Sequence, residues 1–188
     1  RKALDLYFER HDGEAATIEQ FRACFEDATG RDLSHFARWW SQAGTPIVCV
    51  TEDWDAETGR YALTFRQETK PTPGQPEKAP VVIPIALGLL GPNGGDMLEE
   101  GTRVVELDGA EATVNFEGLG AKPVPSLLRN FSAPVRLERD APEAERAFLM
   151  AHDSDPFNRW EAGQAYAMDA LLRMLDGAPP LENRTRVR

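Results

Sequence analysis

Histidine is the side chain best suited to hold a metal or pass protons near neutral pH, and this chain has 3: His11, His35 and His152. A zinc-binding helix needs two of them one turn apart, with a Glu beside the first to act as base. No second His lies within a turn of any of them. His11-Asp12 and His152-Asp153 sit at expected helix ends, where an imidazole meets exposed carbonyls rather than a metal. Asp153-Ser154-Asp155 begins like a calcium loop, but Asn158 stands where the loop needs Gly and Gln164 where it needs Glu; it reads as a helix cap. Ser34 and His35 are neighbours on an expected helix and so do not face each other, and no Gly-x-Ser-x-Gly elbow is present. Neither Cys24 nor Cys49 has the electropositive surroundings that make a thiolate. Gly91-Pro92-Asn93-Gly94-Gly95 and Gly118-Leu119-Gly120 do not lead from a strand into a helix, so they read as turns rather than phosphate cradles. The Glu99-Glu100 pair reads as solvated surface. No residue is therefore assigned a catalytic, cofactor-binding or metal-binding role.

Composition narrows the partners. The 188 residues carry 21 Lys and Arg against 31 Asp and Glu, a net charge of −10. Such a chain repels phosphate backbones, so no nucleic-acid partner is expected. The basic cluster Arg184, Arg186 and Arg188 reads as a frayed terminus. No apolar run approaches the ~18 residues that cross a bilayer, so no membrane partner is expected; the longest, Val81 to Leu90, is broken by Pro84 and Gly88. Two separate reduced thiols suit a cytoplasmic compartment. Asn130-Phe131-Ser132 and Asn183-Arg184-Thr185 match the glycosylation pattern, which matters only in a secreted protein. The first residue is Arg1, inside a running helical pattern, so a fragment of a longer protein is expected.

The elements fall into three blocks, giving a fold that is mixed α and β by segment. Residues 1–45 are helical. Leu4, Tyr7 and Phe8 recur at helical spacing up to His11-Asp12-Gly13. Thr17 and Gln20 form a capping-box pattern that opens a second helix, with Ile18, Phe21, Phe25 and Ala28 on one face and Gly30 as its stop. Asp32 is placed to cap a third helix carrying Phe36, Trp39 and Trp40. Residues 46–139 switch to period two and predict an antiparallel, Ig-like β-sandwich. Its strands lie around Val48–Val50, Tyr61–Phe65, Val81–Leu89 (the longest), Arg103–Leu107, Ala112–Phe116 and Val135–Glu138, with Pro71–Pro80 as a loop. Residues 140–188 return to helix. One helix starts near Pro142 and carries Ala147, Phe148 and Ala151. The other is capped by Asp155-Pro156, carries Trp160, Ala167, Leu171 and Met174, and is stopped by Gly177, Pro179 and Pro180. The stripes containing Phe21 and Trp160 are one-sided and are expected to be partly uncovered.

The first two blocks meet without a tether. Gly44 can take the left-handed position that closes a helix, and Pro46 forbids its continuation and extends Thr45. Trp39 and Trp40 point about 100° apart on a helix, so at least one is expected to pack on the sandwich, and its loss would cost roughly 3–5 kcal/mol.

Several stretches together carry a resemblance. Leu6-Tyr7-Phe8-Glu9-Arg10-His11-Asp12-Gly13 with Ala15-Ala16-Thr17, Asp32-Leu33-Ser34-His35-Phe36, Arg38-Trp39-Trp40-Ser41-Gln42 and Gly44-Thr45-Pro46 come first. Phe131-Ser132-Ala133-Pro134-Val135, Phe148-Leu149-Met150 with His152, and Asp155, Phe157, Arg159 and Trp160 follow in order. The set resembles the bacterial aminopeptidase N family, zinc metallopeptidases of the gluzincin type. The resemblance implies that residues 1–45 end a thermolysin-like catalytic domain, 46–139 form a β-sandwich domain, and 140–188 begin an α-superhelical C-terminal domain. It implies a parent that removes N-terminal amino acids from peptides with a zinc held by two His and a Glu, all upstream of Arg1. Zinc would then belong to the parent and not to this segment, and Tyr7 would be a packing residue rather than the catalytic Tyr. The segment's partners would be the rest of its own chain and its role a bridge that shapes a chamber over the zinc. The alternative is a stand-alone β-sandwich binding module with flanking helices; an upstream His-Glu-x-x-His helix separates the two.

Overall fold

The computed structural model describes residues 1–177. The Arg184–Arg188 tail, the Asn183 pattern and the stop at Pro179-Pro180 lie outside them. The leading block pairs α1 (Lys2–His11) with α2 (Ile18–Thr29). Tyr7 stacks edge-on against Phe21 with ring centroids 5.0 Å apart, over a fully buried Cys24. The capping box forms: the Thr17 hydroxyl accepts from the Gln20 amide at 3.3 Å, and the Gln20 side chain accepts from the Thr17 amide at 2.8 Å. Gly30 closes α2 with φ 69°.

The third helix is shorter than its apolar spacing predicts. Asp32 accepts from the Ser34 amide, 2.8 Å away, and so closes a local turn instead of capping a helix. Residues 34–37 continue as turn, and only Arg38–Ser41 forms α3. Asp side chains compete with helix hydrogen bonding in this way, and here the competition wins.

Seven strands follow: β1 (Ile47–Asp55), β2 (Arg60–Glu68), β3 (Ile83–Leu90), β4 (Arg103–Leu107), β5 (Glu111–Phe116), β6 (Val124–Leu127) and β7 (Arg136–Glu138). They make a 4-stranded sheet in the order β5-β2-β1-β7 and a 3-stranded sheet in the order β4-β3-β6. Val48, Val50, Tyr61, Leu63 and Phe65 from the first sheet meet Ile83, Ile85, Leu87 and Leu89 from the second in one core. Pairing is antiparallel except at the edge, where β7 runs parallel to β1.

β3 carries the expected apolar face, but at 8 residues it is shorter than β1 and β2, at 9 each. Its opposite face is buried as well: Ala86 and Leu90 are nearly sealed. Pro84 is tolerated because β6 pairs with Leu87–Leu90 only; the strand has no neighbour on the far side at Pro84. The equivalent Ala86 amide finds the Ser132 hydroxyl there, at 3.0 Å. β6 has no counterpart in the period-two reading, because Pro123 and Pro125 interrupt the pattern; as an edge strand it accommodates them.

After β7 come α4 (Glu143–His152) and α5 (Pro156–Leu175), packed against each other. Asp155 caps α5, accepting from the Asn158 amide at 2.8 Å, with Pro156 in the first turn. The Asp153-Ser154-Asp155 stretch is therefore a cap, as its sequence indicates.

Candidate functional site: two joints around the sandwich

The residues able to do chemistry are dispersed. His35 Nε2 lies 2.9 Å from the Pro80 carbonyl. His11 stacks on Tyr7, and His152 stacks on Phe148. Among the described residues no group of His, Cys, Asp and Glu is arranged to hold a metal ion. What the fold does concentrate is polar side chains at the two ends of the sandwich.

The leading joint clips side chains onto the backbone of the Pro-rich loop. The Trp39 indole N–H donates to the Val82 carbonyl at 2.7 Å, while its ring packs on the sandwich core. Arg38 donates to the Pro80 carbonyl at 2.8 Å. Gln42 meets Ala79 twice, donating to its carbonyl at 3.0 Å and accepting from its amide at 2.8 Å. Gln75 returns the same pattern to Ser41 and Ala43. Lys78 then donates to the Ala43 carbonyl and to the side chains of Thr72 and Gln75. Each bond is modest in water, about 1 kcal/mol net, but together they fix the loop against α3. The expected packing of one tryptophan on the sandwich is met by Trp39; Trp40 is 46% exposed and stacks on Phe36.

The trailing joint is ionic and buried. Between β6 and β7 the chain passes through Leu128 at φ 56°, Asn130 at φ 55° and Phe131 at φ 52°, left-handed conformations that side chains other than Gly adopt at a cost. This path drives Arg129 inward, where it is 3% exposed. Its guanidinium lies flat over Gly88 of β3; a Cβ at that glycine would come within 2.0 Å of it. Arg129 donates to Ser126 Oγ at 2.9 Å, the Gly101 carbonyl at 2.9 Å, Thr102 Oγ1 at 3.1 Å and Asp96 Oδ1 at 2.7 Å. The helical pair plugs into the same place. Asp155 accepts from the Asn130 amide at 2.9 Å, and Asn158 donates to Ser126 Oγ and the Leu127 carbonyl.

A second clasp lies nearby. Tyr61 donates to Glu52 at 2.7 Å, and Arg139 bridges Glu52 of β1 to Glu145 of α4. Burial would raise the Glu52 carboxyl, but the Tyr61 hydroxyl and the Arg139 charge bring it below its ordinary range. Burial first, and the Glu52 carboxylate second, push the Tyr61 phenol well up. Between the two clasps lies a groove of about 550 Å³, walled by Leu127, Val135 and Arg139 on one side and Leu149, Asp153 and Phe157 on the other.

Sequence reasoning finds Trp39 and the Asp155 cap but not Gln42, Gln75, Lys78, Gly88, Asp96 or Arg129. The available signal is slight: Arg129 directly follows Leu127-Leu128, and a cation buried with apolar neighbours must be paired.

The described residues thus form an Ig-like sandwich clamped to helices on both sides. Residues 44–140 match the family described as a domain of unknown function, DUF3458, with an Ig-like fold, and residues 143–187 match DUF3458_C, described as ARM repeats. The chain belongs to the DUF3458 family and is homologous to a segment of aminopeptidase N. It is 52% identical over 179 residues to aminopeptidase N of Caulobacter vibrioides, covering 95% of this chain and 20% of that protein. It is 46% identical over 170 residues to aminopeptidase N of Escherichia coli, covering 88% of this chain and 20% of that protein. Among solved structures, aminopeptidase A of Legionella pneumophila, in complex with aspartic acid, superposes with a TM-score of 0.83 at 28% identity, over 96% of this chain and 20% of that one. The chain thus spans about a fifth of the length of these relatives.

Proposed function

We propose that this chain is the non-catalytic bridge of a zinc aminopeptidase that removes N-terminal amino acids from peptides in the cytoplasm. Residues 1–45 would complete the catalytic domain, 46–139 form the bridging sandwich, and 140–188 begin the helical domain. The observation that carries this reading is the pair of joints: both helical blocks are fastened to the sandwich through side chains bonded to backbone or buried charge, so the sandwich sets the angle between them. In the parent that angle would shape the chamber over the metal.

Zinc does not fit this segment. His35 is engaged with the Pro80 carbonyl, and the 3 histidines lie on α1, before α3 and at the end of α4. In this reading the metal, its ligands and the base belong to the rest of the parent, and the segment's contribution is positional.

The test compares residues 1–188 with the full-length protein, using an aminoacyl chromogenic substrate and metal analysis. Hydrolysis and bound zinc are expected in the full-length protein and in neither measurement on the segment. Hydrolysis by the segment, or one tightly held zinc per segment, would overturn the reading.

A further inference from the structure

We propose that Asp153 is a pH-sensitive latch between the sandwich and the α4–α5 pair: its carboxyl is buried and short of hydrogen-bond donors in the closed joint, so that its ionisation loosens the joint. The argument begins with the groups that face it. Arg129, from the segment after β6, is the cation of the cluster. Asp96, from the loop after β3, and Asp155, from the start of α5, are the other carboxylates. His152, at the end of α4, stands against Gly94. Two carboxylates, Asp96 and Asp153, therefore lie close to one guanidinium, at 2.7 and 3.6 Å, with Asp155 beside Asp153.

The hydrogen bonds are not shared equally. Asp96 has Arg129 at 2.7 Å and the Ser154 hydroxyl at 2.9 Å. Asp155 has two backbone amides, those of Asn130 and Asn158. Arg129 commits four of its five N–H donors to Ser126, Gly101, Thr102 and Asp96, leaving one on Nη2. Asp153 is left over. Its Oδ1 accepts from the Asp155 amide at 2.9 Å but lies 3.6 Å from Arg129, beyond a hydrogen bond. Its Oδ2 is buried without a partner among the described residues, and the side chain is 0% exposed. A buried charge is disfavoured against the neutral form, and burial raises the Asp153 carboxyl above its ordinary range, outweighing the Asp155 amide, the Ser126 hydroxyl and the Arg129 charge, which act to lower it.

The sign of the effect follows. In the opened joint Asp153 ionises at the ordinary value of 3.8, and in the closed joint it ionises higher. Closure is therefore strongest below the ordinary value and weakens as pH rises towards the raised one, by up to tenfold in the closing equilibrium per pH unit. An ionised Asp153 paired with Arg129 gives the opposite sign.

Hydrogen exchange in the full-length protein reads this directly. The reporter is the peptide containing Asn130, whose amide crosses the joint to Asp155, followed from about pH 4 to about pH 8 and corrected for the intrinsic rate. Protection is expected to fall with pH in the wild type, to persist in its fall in His152→Gln, and to be flat in Asp153→Asn, which is at least as protected as wild type at the upper end. Wild-type protection that is flat or rises with pH overturns the proposal, as does a fall that vanishes in His152→Gln or survives in Asp153→Asn. If Asp153→Asn does not fold, the wild-type and His152→Gln profiles decide alone.

Discussion

At Trp39 the indole both covers the sandwich core and donates to the Val82 carbonyl, whereas its neighbour Trp40 is 46% exposed. Trp39→Phe should keep the packing and lose the hydrogen bond, costing about 1 kcal/mol. Trp39→Ala should cost roughly 3–5 kcal/mol, and Trp40→Ala should stay within about 1 kcal/mol. Denaturant unfolding of the three variants checks the order, and a Trp40→Ala loss equal to that of Trp39→Ala would contradict it. The sequence tells that two adjacent indoles diverge on a helix, but not which one turns inward; that is settled by the distant loop at Pro80–Val82. The Thr17–Gln20 box is legible because all its parts lie within one turn. Arg129 is illegible because its partners, Asp96, Gly101 and Thr102, come from far along the chain.

At the scale of elements, β3 and the strained segment after β6 are cut to fit each other. The Arg129 guanidinium occupies the space where any side chain at position 88 would stand, so Gly88→Ala must displace a buried charge from its partners, at a cost of about 3–5 kcal/mol. Arg129→Met leaves Asp96 without its cation and should cost a similar amount. The double variant should be less harmful than the sum, with a coupling of about 1–3 kcal/mol in a double-mutant cycle; additive losses would show that the two residues do not act through one contact. Strands with clean alternation, such as Tyr61-Leu63-Phe65, announce themselves, although Ala62 between them is buried as well. β6 hides behind its prolines. The third helix is over-read, because Phe36, Trp39 and Trp40 keep helical spacing across a turn that Asp32 diverts.

For the whole molecule, the apolar surface left open by the fold is the quantity to measure. Phe8, Trp160, Met168, Leu171 and Leu175 are 60%, 59%, 57%, 56% and 82% exposed, on helices whose one-sided stripes want covering. Residues 1–188 should bind an apolar fluorescent dye strongly, and the full-length protein much less per copy. Equal binding would mean these stripes stay open in the parent. The three-block order and the β-sandwich in its middle are readable from periodicity and turn signals. How the blocks are fastened is not, because the fastening rests on contacts between residues tens of positions apart, such as Trp39 with Val82 and Arg139 with Glu52.

The parallel edge of the sandwich has a mechanical meaning. The leading helices feed directly into β1, and β7 leads out to α4, while these two strands lie side by side in register from Ile47↔Arg136 to Cys49↔Glu138. A pull between the two helical blocks is thus directed along the strands and in opposite senses. It slides one past the other and stretches their hydrogen bonds together, where a hairpin would unzip them singly. Tension between the flanking domains is borne in shear at the place where the chain enters and leaves the module.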